Sequence, residues 1–484
     1  MNRRRLFLAL ALLPTSVLAT DHFIIIGGGP TARSSGVQIE FNVNWVVASL
    51  HDLLPDAVVS VFFANGKGAE KATVELIARR EDVPPQLSAL ASIYGAETAN
   101  RLRYRSHRVA NVEGATRKDI LVPELGRRLE SLRPGDQAMI IYNGHGSWAT
   151  DRAENSLRLW EETSLSVREF EKILGRVDPA VPVRFVLTQC FSGAFARAVH
   201  TDADHARELA RGQRCGFLAE SSERESEGCS ASVELGDYRD YTTYFFAGLT
   251  GKDRLGRPVA AAKDRDGDGR ITPFDAHLYT LVEGYNGDLP RSTSEDYLER
   301  WQPWQVRWVG TGTLPDNVNG SLAREMARRS KLPEDGRALG SALQSAYEAL
   351  TGENAEAGRE RHALEAAMDS TRLAIRQRIE HRWPELAHPY TEAHRELLAG
   401  GTNEIEQAIL GDAVFPELQQ GETRLAALGL RLVDFDRRIS QLDKLRRTRM
   451  LARALYQLER RARPSIREEY GRLRTCEALP LGGN

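Results

Sequence analysis

Two short stretches carry residue types that do covalent chemistry together. Asn143-Gly144-His145-Gly146 and Thr188-Gln189-Cys190-Phe191-Ser192-Gly193 each follow an apolar run, 137–142 and 183–187. A thiol attacks a carbonyl as thiolate or with a proton acceptor beside it, so a cysteine and a histidine at neighbouring strand ends make a nucleophile and its base. Gly146 lets bare backbone approach a substrate carbonyl, and its N–H with that of Cys190 would face the oxyanion of a tetrahedral intermediate. Gly193 admits close packing behind the thiol. A buried structural cysteine or a hydrogen-bonded core histidine explains either residue alone; the glycine-flanked pair at two strand ends favours catalysis.

A second motif is Asp264-Arg-Asp266-Gly-Asp268-Gly269-Arg270-Ile271-Thr272-Pro-Phe-Asp275. Carboxylates at the first, third, fifth and twelfth places, with glycine at the sixth, suit a hard oxygen-seeking cation in a tight loop. The expected ligands of a structural Ca2+ are Asp264, Asp266, Asp268, the Arg270 carbonyl, Thr272 and Asp275, against the plainer reading of a solvated acidic turn. Gly27-Gly28-Gly29-Pro30-Thr31-Ala32 imitates a dinucleotide fingerprint. Ser34-Ser35-Gly36 interrupts it where the helix should present an apolar face, and it is set aside.

The elements that must position these residues read as α/β. Apolar runs at 22–26, 57–63, 137–142, 183–187 and 215–219 alternate with helical stretches such as 44–54 and 120–132, the pattern of a mostly parallel sheet flanked by helices. In such a sheet chemistry gathers beyond the carboxyl ends of strands. After a linker at 310–320 the β-branched runs vanish, and 321–484 reads as an all-α helical bundle domain. Leu425, Leu428, Leu432, Phe435, Ile439 and Leu442 form a heptad seam expected to pack within the chain.

At the other end, Arg3-Arg4-Arg5, an apolar run and Val17-Leu18-Ala19 read as a signal peptide over 1–19, predicting an exported, periplasmic or extracellular protein. No stretch is long and apolar enough for a membrane span. With 41% hydrophobic and 27% charged residues the chain is neither bulk-disordered nor a polytopic membrane protein, and 65 Lys+Arg against 67 Asp+Glu remove any whole-molecule attraction to nucleic acid.

The His-Gly and Gln-Cys blocks resemble the caspase-like cysteine peptidases, the group of caspases, metacaspases, gingipains and legumains, over about 21–308. Ser222-Glu-Arg224-Glu225-Ser226-Glu-Gly-Cys229, followed by Leu235-Gly236-Asp237-Tyr238, is similar to the legumain pocket loop. The resemblance implies a caspase-like domain at 20–309, His145 as base and acid, Cys190 as nucleophile, and Gly146 with Cys190 as oxyanion hole. It further implies an endopeptidase acting on protein or peptide, with Arg33, Gln189, Ser221 and Ser222 about the pocket and a preference for cutting after asparagine. Ser230 and Ser232 stand where legumains carry an acidic residue. Legumains also have a helical C-terminal segment that covers the site until cleaved, so Asn317 and Asn319 suggest self-processing. In an oxidising compartment Cys215 and Cys229, flanking this loop, are expected to pair, leaving Cys476 without a partner. The alternative function is a catalytically silent, calcium-stabilised scaffold binding a protein partner through its helical domain.

Overall fold

The computed structural model describes residues 20–67, 72–77, 85–95, 102–259, 264–301, 312–334 and 336–482, with 85–88 in backbone only. The expected leader, 1–19, and the first part of the expected linker lie outside the described residues.

The strands are β1 (Asp21–Gly28), β2 (Val58–Phe63), β3 (Val74–Ile77), β4 (Leu102–Arg105), β5 (Val112–Gly114), β6 (Gln137–Ser147), β7 (Ser156–Arg158), β8 (Ser164–Ser166), β9 (Val183–Leu187), β10 (Arg214–Leu218) and β11 (Arg291–Ser292). Nine form one sheet in the order β11-β10-β9-β6-β1-β2-β5, with β7 and β8 attached to the outer end of β6; β3 and β4 form a separate hairpin. From β10 to β5 along this order every pairing is parallel, and only β11 and the β7-β8 extension run antiparallel.

Alternate residues of each strand serve two cores, which is why the strands read as unbroken apolar runs. Phe23, Ile25, Met139, Ile141, Val186 and Phe217 meet helices α1 (Val37–Leu53), α5 (Tyr241–Thr250) and α6 (Pro273–Glu283). Ile24, Ile26, Ile140, Tyr142, Phe185 and Leu187 meet α3 (Lys118–Ser131) and α4 (Val167–Leu174) on the opposite face. Helix α7 (Thr293–Trp301) completes this half, while α2 (Pro85–Tyr94) packs through Ala89 and Ile93 against Met368, Ile375 and Ile409 of the C-terminal helices. Each fully buried aliphatic or aromatic side chain contributes about 2 kcal/mol of transfer free energy.

The C-terminal helices are α8 (Val318–Arg329), α9 (Gly336–Arg382), α10 (Glu392–Ala399), α11 (Asn403–Leu410), α12 (Phe415–Arg461) and α13 (Pro464–Glu477). The 47-residue helices α9 and α12 lie antiparallel, since Glu360, Arg372 and Arg378 meet Arg424, Glu422 and Asp412 in descending order. The heptad seam is the inner edge of this pair: Leu428, Phe435 and Leu442 are buried, while a side chain at Gly429 would meet open space. No helix among the described residues is long and apolar enough to cross a membrane.

The helical part shares its core with the sheet. Leu339, Leu343, Phe435, Leu442 and Leu445 belong to the same apolar cluster as Phe245, Phe274 and Leu278. Two expectations are corrected here. Cys215 pairs with Cys476, not Cys229, because α13 returns across β10 and brings the C-terminus to a thiol 261 residues away; Cys229 is a free thiol. Asn317 and Asn319 are not a loose linker: Asn317 caps α8, its Oδ1 accepting the Gly320 N–H and its Nδ2 donating to the Ala452 carbonyl, and Asn319 is buried inside that helix.

Candidate active site at the carboxyl ends of β6 and β9

Register brings the two chemical residues to one edge. Tyr142 on β6 is paired with Leu187 on the adjacent parallel strand β9, and His145 and Cys190 each lie three residues beyond that pair. The Thr188 N–H donates to the Tyr142 carbonyl, carrying the pairing one step past β9. β6 then leaves the parallel sheet and pairs with β7, His145 opposite Arg158 and Gly146 opposite Leu157. The buried Tyr142 hydroxyl donates to the carbonyls of His145 and Arg158 and so pins this divergence.

The His145 ring is oriented by the turn that follows β1. Its Nε2 lies 2.5 Å from the Ser34 carbonyl, which only accepts, so Nε2 carries the proton and Nδ1 is left as the basic nitrogen. Burial holds the imidazole below its ordinary value, against the pull of the Ser34 carbonyl, with the Arg158 charge adding to the lowering. Cys190 moves the opposite way. Burial pushes its thiol above the ordinary 9.0, opposed by the Ser226 N–H, which donates to Sγ at 3.4 Å. Both groups are therefore neutral near pH 7, a thiol and an imidazole rather than a preformed ion pair.

That neutrality gives a measurable expectation. Alkylation of Cys190 by iodoacetamide, followed by peptide mass, should be slow at pH 7 and rise continuously through pH 9. A rate plateau between pH 5 and 8 would show a thiolate–imidazolium pair and overturn it.

Backbone around the thiol is tightly determined. A Cβ on Gly146 would overlap the Cys190 carbonyl and come within 2.8 Å of the Gln189 side chain; one on Gly193 would press the backbone between Ser221 and Ser222 at 2.7 Å. Phe191, directly after the thiol, holds a left-handed φ of 59°, unusual for a bulky residue, and its N–H donates to the Arg224 carbonyl.

The expected pocket residues are placed as follows. Arg33 is exposed on the turn after β1, next to Ser34. Ser221 and Ser222 start the loop that runs past Cys190; the Ser221 N–H donates to Glu220 and the Ser222 carbonyl accepts from Asn155. Gln189 turns inward, fully buried with neither amide atom bonded, so its side chain belongs to the floor and not to a pocket wall. Sequence reasoning missed Ser34 and Ser226. It also missed the latch behind the loop, where Glu227 pairs with Arg437 of α12 and its N–H donates to the buried Asp288. Lys444 Nζ, two turns further along α12, donates to the Gly284 carbonyl and Asn286.

The acidic loop keeps three of its six expected ligands together. Carboxylate oxygens of Asp264, Asp266 and Asp268 lie within 4.8 Å of one another, and Gly267 and Gly269 take the positive φ the tight turn needs. Asp275 lies outside that group of oxygens, a correction: its carboxylate is taken up by hydrogen bonds to the loop backbone and the helix start. Its Oδ1 accepts from the Arg265 and Asp266 backbone and its Oδ2 from the Thr272 N–H and hydroxyl, because Thr272 and Asp275 form the capping box of α6. Arg270 follows the cluster, its N–H donating to Asp268.

No protein-family model matches the chain, and no curated protein matches it. Among solved structures, a crystallised Geobacter sulfurreducens protein, a structural genomics target, aligns at 12% identity over 44% of this chain and 77% of its own, with a TM-score of 0.28, a likeness too slight to carry an argument.

Proposed function

We propose that the chain is an exported cysteine endopeptidase of the caspase-like type. The observation that supports it most is the strand register that puts His145 and Cys190 each three residues past the paired Tyr142 and Leu187, with bare Gly146 against the Cys190 carbonyl. As substrate enters, His145 Nδ1 takes the thiol proton while Sγ attacks the scissile carbonyl. The Gly146 and Cys190 N–H groups hold the oxyanion, His145 returns the proton to the departing amine, and water hydrolyses the thioester. Arg33, with Ser221 and Ser222, is offered to the residue before the cut, proposed to be asparagine.

The test is a fluorogenic peptide library scanning that residue, incubated with the exported protein. Cleavage is expected, with asparagine preferred, and a peptidyl acyloxymethyl ketone should block it and leave its mass on Cys190. An uncleaved library with Cys190 unlabelled would turn the reading to the silent scaffold.

We also propose a structural Ca2+ held by Asp264, Asp266 and Asp268. The three carboxylates fit a hard cation, though Asp264 now accepts backbone N–H groups of Gly267, Asp268 and Gly269, which the ion would have to displace in part. Millimolar Ca2+ should raise the Tm by about 1 °C, as one weak site gives, and the rise should vanish in Asp264→Ala. An equal rise in the variant would refute it.

A further inference from the structure

At the opposite edge of the sheet from the thiol, where β1 and β6 begin, a cavity of about 360 Å³ is lined by Thr20, Asp21, Asp136, Gln137, Arg270, Leu479 and others. The Thr20 backbone nitrogen donates to Asp136 Oδ1 at 3.3 Å. Asp136 also takes the Arg133 N–H on its other oxygen, so it is held in place. Asp21 is 8% exposed; its Oδ2 accepts the Gly482 N–H at 2.7 Å, while its Oδ1 is buried without a hydrogen-bond partner. Burial pushes this carboxyl above its ordinary value. A buried carboxylate oxygen with no donor is costly unless a charge or proton reaches it.

Positive groups are close, and the charges of Arg184 and His22 act on Asp21, though neither hydrogen-bonds its Oδ1. Arg184, fully buried, donates to the Leu479 carbonyl and Gln137 Oε1, and His22 is 4.0 Å from Asp136. Arg270 reaches the rim of the cavity. Among the described residues the lining holds no lysine, so no compact cation with several donors sits there beside Thr20.

Cleavage of the expected leader supplies one. Water adds across the Ala19–Thr20 peptide bond under a leader peptidase, leaving a carboxylate on Ala19 and an ammonium on Thr20, where there had been one amide N–H. We propose that the Thr20 ammonium of the processed chain is the ligand of this site, docking between Asp136 and Asp21. Asp21 then holds the new N-terminus on one oxygen and the Gly482 N–H on the other. The device is made by export and cannot form in the precursor. It rests on the proposed export and leader removal, but uses no residue of the proposed peptidase site and is independent of hydrolysis.

The exported protein is the material for the test. N-terminal sequencing should give Thr20 first. A Gly-Ser insertion between Ala19 and Thr20 keeps the cleavage point and moves the ammonium about 7 Å away. It should lower the Tm by about 3 °C, and the same insertion in Asp136→Asn should add nothing. Pulse acylation of the α-amine in the native protein should be at least about tenfold slower without the insertion than with it, a readout that needs no second variant. A first residue other than Thr20, an insertion without effect on Tm or acylation, or an equal loss in Asp136→Asn would each overturn the proposal.

Discussion

Cys190→Ala should abolish peptide hydrolysis, a fall of about 10⁴-fold or more, and Gly146→Ala should cost at least about a hundredfold while leaving the protein folded. The first removes the atom that would attack; nothing else near it can replace a thiol, since Cys229 is half-buried and its thiol is pushed far above the ordinary range by desolvation, with Cys190 adding to the rise. The second keeps every functional group and changes only space. A methyl at position 146 would overlap the carbonyl of Cys190 itself, a backbone atom that yields only if the turn carrying the thiol moves. Because the Gly146 N–H is assigned to the oxyanion, an interaction made in the transition state, the loss should fall on kcat with KM little changed. Wild-type turnover in Gly146→Ala would remove Gly146 from the site, and undiminished hydrolysis in Cys190→Ala would end the peptidase reading.

Much of the scaffold was legible and the corrections have particular causes. The run at 183–187 is β9 to the residue, since a strand buried on both faces has no other reading once turns bound it. α1 begins at Val37 rather than 44, because Val37, Ile39 and Val43 are buried against the sheet and packing outweighs their β-branched preference. His145 and Cys190 were found from their glycine neighbours and strand ends. The groups that orient them were not: the Ser34 carbonyl and the Ser226 N–H are backbone, and backbone leaves no mark in a sequence. At Asp275 two legible signals competed. The twelfth place of a cation loop and the third residue of a capping box with proline at the helix start fall on the same carboxylate, and in the structure one oxygen serves the helix cap and the other the Arg265 and Asp266 N–H groups of the loop.

The disulfide is where sequence distance misled most, and its removal is the second large effect expected. Cys476→Ser should destabilise the protein by about 5 kcal/mol in the chain-entropy model, because the bond between Cys215 and Cys476 closes a loop of 261 residues in the unfolded chain. Both cysteines are fully buried, so the variant also leaves a polar hydroxyl beside a lone thiol. The folded end of the chain has other ties: Glu477 accepts from Thr293 Oγ1, the Ser294 N–H and Ser294 Oγ, and Arg474 pairs with Asp266 of the acidic loop. These should keep α13 docked at room temperature, so the loss should appear as a Tm lowered by about 5 °C with the folded spectrum unchanged. The same bond bears on processing. Any cut between β10 and α13, at Asn317, Asn319 or elsewhere, would leave two pieces joined until reductant is added, and the helical part could not depart as an exported fragment. A non-reduced digest should contain the peptide linking Cys215 to Cys476; a digest with both as free thiols, or a Cys476→Ser variant as stable as the parent, would show that the C-terminus is held by packing alone.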